Sequence, residues 1–173
     1  FKDNCAPCHG LGGAGQLFYP SLADDDWLWG GTLAEIEYTV RHGIRHAADP
    51  QTRDSQMPAF DADGILGAAE ITDVVQYVLS LSGRATMPEA VVRGQEVFLQ
   101  HCAACHGEDG RGLREVGAPN LTDAIWLYGG EPEQIRAMIE RPRHGLMPAW
   151  NTRLSDELIK MVTVYVHKLG GGE

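Results

Sequence analysis

Two five-residue stretches carry the chemistry in this sequence, Cys5-Ala-Pro-Cys8-His9 and Cys102-Ala-Ala-Cys105-His106. They use all four cysteines, so none is left for a structural disulfide. Two thiols separated by two residues on a helical turn can each add to a vinyl group of one porphyrin, and the adjacent imidazole then lies under the ring and can bind iron. The motif is therefore a c-type haem attachment signal, and its two copies imply two haem c groups held by thioethers. A rival use of the same residues is a single tetrahedral all-cysteine zinc site built from one pair per repeat. The histidine directly after the second Cys in both copies favours haem.

A six-coordinate iron needs a second axial ligand, which should recur at equivalent places. Met57 and Met147 do so, each opening a Met-Pro-Ala-aromatic block. A thioether opposite imidazole saturates the iron and raises its potential, which suits electron transfer and leaves no open position for chemistry. His42 and His144 recur as well and could give bis-imidazole sites. Their alternative role is to end a helix before a glycine cap, where a cation or donor is favourable. The simplest ligand pairing stays within each repeat, His9 with Met57 and His106 with Met147; the spacing also admits a crossed pairing.

The elements that position these residues come as a repeat. Pro20-Ser21-Leu22 returns as Pro119-Asn120-Leu121, and Trp27-Leu28-Trp29-Gly30-Gly31 as Trp126-Leu127-Tyr128-Gly129-Gly130. Arg41-His42-Gly43 returns as Arg143-His144-Gly145, and Tyr77-Val78 as Tyr165-Val166. The repeats differ chiefly between the His-Gly and Met-Pro blocks, where the first has thirteen residues, Ile44 to Gln56, and the second only Leu146. Apolar periodicity predicts helices over roughly 32–42, 68–81, 88–104, 131–141 and 155–168, with Pro88 in a first turn and Ser155 as an N-cap. No strand pattern stands out. The expected fold is all-α, two tandem class I cytochrome c-like domains each wrapping one haem, at residues 1–83 and 84–173. The first domain's opening helix is reduced to its last turn, as expected of a fragment of a longer protein.

Trp27, Trp29, Trp126, Tyr128, Tyr19 and Trp150 are candidates to wall the haems and lower the local dielectric. Arg41, Arg143, Tyr19 and the indole N–H groups are candidates for the haem propionates. Net charge is −10, which disfavours nucleic acid as a partner. Residues 1–83 hold 12 acidic and 4 basic side chains, net −8, and residues 84–173 hold 12 and 10, net −2. An acidic first half suits docking of a basic electron donor, with Asp24, Asp25 and Asp26 as its focus.

These blocks together resemble the dihaem subunit of cbb3-type cytochrome c oxidase. The residues that carry the resemblance are Asp24-Asp25-Asp26-Trp27-Leu28-Trp29-Gly30-Gly31, Arg41-His42-Gly43-Ile44, Met57-Pro58-Ala59-Phe60, Leu121-Thr122-Asp123 and Trp126-Leu127-Tyr128-Gly129-Gly130. The resemblance implies haem lobes on the periplasmic side of the bacterial inner membrane, tethered by an N-terminal anchor that this sequence lacks. It implies electrons received from a soluble cytochrome c or the bc1 complex and passed to a monohaem subunit and the catalytic subunit, with no catalytic centre in this chain. Other functions consistent with two haem motifs are a freestanding periplasmic dihaem cytochrome like cytochrome c4, a dihaem peroxidase or sulfur-compound dehydrogenase, and a haem-based gas sensor.

Overall fold

The computed structural model describes all residues from Phe1 to Glu173 and contains seven α-helices and no sheet. The helices are α1 (Ala6–His9), α2 (Leu33–His42), α3 (Ala68–Ser80), α4 (Pro88–His101), α5 (Ala103–His106), α6 (Pro132–Glu140) and α7 (Asp156–His167). Extended pairing is limited to isolated bridges, two of which share Ile44. None of the helices is long and apolar enough to cross a membrane.

Local chemistry explains where the helices begin. Thr32 caps α2 in a reciprocal box: its hydroxyl accepts from the Glu35 N–H, and the Glu35 carboxylate accepts from the Thr32 N–H at 3.0 Å. Gln134 closes the same kind of box at Glu131, ahead of α6. The Ser155 hydroxyl accepts from the Leu158 N–H at the start of α7, as expected of an N-cap. The expected helix over 88–104 is instead broken at Cys102, whose φ of −117° ends α4 before α5 begins. Cys5 has nearly the same geometry, φ −109°, ahead of α1. The first Cys of each motif thus sits at a bend and the His at the end of one helical turn.

The chain forms two compact units, which do not coincide with the sequence repeats. Unit 1 is Phe1–Ser55 with His144–Glu173, and unit 2 is Gln56–Arg143. The repeats 1–83 and 84–173 and these spatial units are therefore drawn at different boundaries. Each repeat gives its last portion, with a Met-Pro block and a terminal helix, to the unit built on the other repeat's haem motif. Backbone hydrogen bonds show why. In unit 1 the Trp150 N–H donates to the Val40 carbonyl at 3.2 Å, and in unit 2 the Phe60 N–H donates to the Ile139 carbonyl at 3.1 Å. Each Met-Pro-Ala-aromatic segment is thereby pinned to the last turn of the helix encoded by the opposite repeat.

In unit 1, Ile36 and Val40 of α2 pack with Ile159, Val162 and Val166 of α7. In unit 2, α3 supplies Ile71, Val74, Val75, Val78 and Leu79 to a core shared with Phe98 of α4 and Ile135 and Ile139 of α6. At the crossing of α3 and α4, Gly94 lies against the Asp73 carbonyl so closely that a Cβ would overlap it. Arg93 clamps the Asp73 carboxylate through two hydrogen bonds of 2.8 and 2.7 Å.

Candidate haem sites

Each haem-motif histidine is held by one backbone carbonyl. The His9 Nδ1 lies 3.0 Å from the Pro20 carbonyl oxygen, and the His106 Nδ1 lies 3.1 Å from that of Pro119. The carbonyl can only accept, so Nδ1 carries the proton and Nε2 is left as a lone-pair donor for a metal. Burial pushes both imidazoles below their ordinary pKa, and the carbonyl bond only partly opposes this. Both rings therefore favour the neutral form that a metal ligand requires. The two prolines recur in the repeat, yet their carbonyls are not assigned a role by sequence reasoning. The available signal is a proline eleven or thirteen residues after each motif histidine.

The structure groups the other candidates by unit. In unit 1, Cys5, Trp27, Met147, Trp150 and Leu22 pack against the α2–α7 core. In unit 2, Cys102, Trp126 and Met57 pack against the α3–α6 core. Met147 thus shares a cluster with the first haem motif and Met57 with the second. This packing favours the crossed pairing that the spacing also admits over the local one, His9 with Met57 and His106 with Met147. Met147 is fixed by a reciprocal pair of backbone bonds to Ile44, with Ile44 N–H to Met147 O at 2.9 Å and Met147 N–H to Ile44 O at 3.0 Å. Gly43 makes this approach possible. At φ +68° it turns the chain after α2, and a Cβ there would strike the Met147 carbonyl.

Burial raises the thiol pKa of Cys5, and it pushes Cys102 up to about 11, with Cys105 adding to the effect. Neither pair forms a disulfide. No three His, Cys, Asp or Glu side chains converge on a point that could hold a metal ion.

Several wall and propionate candidates are otherwise engaged. The Trp27 indole N–H donates to the Gly171 carbonyl at 2.7 Å and that of Trp126 to the Asp123 carbonyl at 3.1 Å. Arg41 is paired with Glu37 at 2.8 Å and Asp156 at 2.6 Å, so its charge is committed at the α2–α7 surface. Arg143 and Tyr19 are exposed, and Tyr128 is half-buried. Trp29 lies under the Arg53 guanidinium, 5.2 Å from ring centre to charge, and Tyr38 also faces that guanidinium at 4.8 Å.

The histidines weighed against the methionines divide. His42 ends α2 before Gly43 as expected, and it is buried against Asp49, Nδ1 to Oδ2 3.1 Å. His144 caps no helix, because α6 stops at Glu140, and it is exposed.

Comparison with known proteins follows the two sequence repeats and not the two spatial units. The family described as cytochrome c aligns with residues 1–82, and the family described as cytochrome c oxidase, cbb3-type, subunit III aligns with residues 89–166. The cbb3-type cytochrome c oxidase subunit CcoP of Cereibacter sphaeroides is 53% identical over 173 residues, covering all of this chain and 60% of the relative. The FixP subunits of Sinorhizobium medicae and Azorhizobium caulinodans are 50% and 53% identical, again over the whole chain and over 59% and 58% of their own lengths. The chain thus spans about 60% of the length of these curated relatives. With two cytochrome c domains and this likeness from end to end, the chain is similar over its whole length to the CcoP and FixP subunits of cbb3-type cytochrome c oxidases.

Proposed function

We propose that the chain relays electrons through two covalently bound haem c groups within a cbb3-type oxidase. Cys5 and Cys8 would provide the thioethers in unit 1, where His9 and Met147 would bind the iron. Cys102 and Cys105 would provide them in unit 2, where His106 and Met57 would bind the iron. The observation that carries this reading occurs twice: a carbonyl-oriented imidazole and a methionine that packs in the same cluster as the motif's first cysteine. When bound, haem c supplies a reversible one-electron iron couple. The protein's part would be to hold that iron through one imidazole and one thioether in each unit. The Pro20 and Pro119 carbonyls fix the tautomer and ring plane of the histidines, and the soft thioethers favour the reduced metal. Trp27 and Trp126 exclude water beside the first cysteine of each motif.

The electrons come from a basic soluble cytochrome c or the bc1 complex and leave to the monohaem and catalytic subunits. The setting is the periplasmic side of the inner membrane, with the anchor supplied by sequence outside this chain. Optical spectroscopy on the purified protein tests the ligation. Two haems per chain with c-type bands are expected, together with a near-infrared sulfur-to-iron band in the oxidised form. Met57→Ala and Met147→Ala should each remove about half of that band, because each iron holds one thioether. Rapid carbon monoxide binding to the reduced wild-type protein would show an open face and refute the relay.

A further inference from the structure

We propose that the Ile44–Ser55 insertion of the first repeat is a buckle that positions Met147 as an iron ligand, and that Arg45, Asp49 and Asn151 are its positioning residues. The inference rests on the assignment of Met147 to the His9 iron. The insertion has no counterpart in the second repeat, where Leu146 alone separates Gly145 from Met147.

Within unit 1 the insertion grips the Met147 segment at successive points. Arg45 Nε donates to the Gly145 carbonyl at 2.6 Å, two residues before the methionine. Ile44 holds Met147 itself through the paired backbone bonds. The His46 Nδ1 accepts from the Ala149 N–H at 3.3 Å, two residues after it. Asn151 Nδ2 donates to the Asp49 carboxylate at 2.7 Å. Asp49 is anchored in turn by the Gln51 N–H at 2.8 Å and by His42 at the end of α2. These partners hold its carboxyl below the ordinary range, the Gln51 N–H most of all. The buckle thus runs from the α2 terminus, through the loop, to both sides of the methionine.

Arg45 adds a second observation. It is one of only two non-glycine residues with positive φ, at 52°. Such a conformation persists where the surroundings over-determine it. Here the guanidinium bridges the Gly145 carbonyl and the Ser55 carbonyl, the latter at 2.9 Å, so it joins the ligand segment to the far end of the loop. A thioether leaves iron when the segment carrying it opens locally, and the frequency of opening follows the bonds that must break. Removing one charge-assisted tie should therefore raise ligand exchange by about tenfold.

The test follows displacement of sulfur from ferric iron by added imidazole, in the two-haem protein carrying Met57→Ala. The sulfur-to-iron band that remains reports the Met147 iron alone. Asn151→Ala and Arg45→Gly are the variants. Asn151 is exposed, and glycine at 45 relieves the backbone strain while removing the tie, so both should fold. About a tenfold faster loss of the band in each, with haem content and far-ultraviolet circular dichroism unchanged, is the expected result. In the Met147→Ala background the same variants should leave exchange at the Met57 iron unchanged, which a general loss of stability would not. Exchange within twofold of the parent in the Met57→Ala background would overturn the buckle while leaving the ligands in place. If Met57→Ala abolishes the whole band or leaves it intact, the ligand assignment falls and the buckle with it.

Discussion

Unit 1 and unit 2 are built to one plan and finished differently. Both orient a motif histidine with a proline carbonyl, both box the helix that follows the Gly-Gly turn, and both pack a phenylalanine on a tyrosine. Phe98 meets Tyr77 at a centroid distance of 5.0 Å and Phe1 meets Tyr165 at 4.9 Å. The finish differs on the helix that carries the tyrosine. In unit 2, α4 covers Asp73, Gln76 and Tyr77, while the equivalent Met161, Val164 and Tyr165 of α7 are exposed, Met161 to 67%. The Met segment differs as well: unit 1 alone has the loop that ties it to α2. Similarity between repeats therefore identifies which groups do the chemistry, and the differences show how firmly each is held.

The largest effect concerns which methionine serves which histidine. In a protein with Cys5→Ser and Cys8→Ser, only the second motif can retain haem. Crossed association predicts that Met57→Ala then abolishes the remaining sulfur-to-iron band and Met147→Ala leaves it untouched. Local association predicts the reverse, so one pair of spectra decides between them.

Next in size is the packing of the two phenylalanines. Phe98 is 1% exposed, at the centre of the α3–α4 crossing. Truncation to Ala should cost about 3–5 kcal/mol in urea unfolding. Phe1 is only half-buried, and Phe1→Ala should cost no more than about 1–2 kcal/mol. Equal losses would mean that the two pairs are equally enclosed, contrary to the exposed face of α7.

Much of this was legible from sequence, for identifiable reasons. The capping of α7 by Ser155 follows from residue types alone, because a hydroxyl followed by acids in the first turn satisfies orphan N–H groups wherever it occurs. The haem motifs and the recurring Met-Pro blocks identify the candidate ligands for a similar reason. The pairing is different. A repeat aligns each Met block with its own histidine in sequence, and nothing in that alignment encodes which α2-type helix will accept the block's hydrogen bonds. The visible signal was the unequal spacing, thirteen residues against one between the His-Gly and Met-Pro blocks. Its meaning needs the Ile44–Met147 bridge. His42 and His144 mislead in the same way. They align in sequence, but the second repeat has three more residues between its Gly-Gly and Arg-His-Gly blocks, and α6 stops at Glu140, which leaves His144 outside any helix.

A smaller effect tests a difference inside the cores. Thr163 of α7 is 2% exposed and its hydroxyl has no hydrogen-bond partner, whereas the equivalent position on α3 is Val75. A buried, unpaired hydroxyl destabilises the fold, and valine has nearly the same shape. Thr163→Val should therefore stabilise unit 1 by about 1 kcal/mol, seen as a higher urea midpoint. A loss of stability instead would mean that the hydroxyl has a partner in the haem-loaded protein.

The smallest effect concerns charge, and here the change of boundary matters most. Divided by repeat, the halves carry −8 and −2. Divided by unit, the counts are 11 acidic to 7 basic in unit 1, net −4, and 13 to 7 in unit 2, net −6. The asymmetry that favoured the first half as a docking face for a basic donor disappears, and what remains is local. Replacing Asp24, Asp25 and Asp26 by Asn should slow electron entry from a basic cytochrome by only about twofold at low salt, and not at all once the Debye length is a few ångströms. Neutralising Glu89, Glu96 and Glu108 in unit 2 should do about the same, because both units repel and attract as bodies of similar charge. A tenfold loss confined to the unit 1 variant would restore a specific docking role to the Asp24–Asp26 loop, carried by where those three carboxylates sit and not by the net charge of the body that bears them.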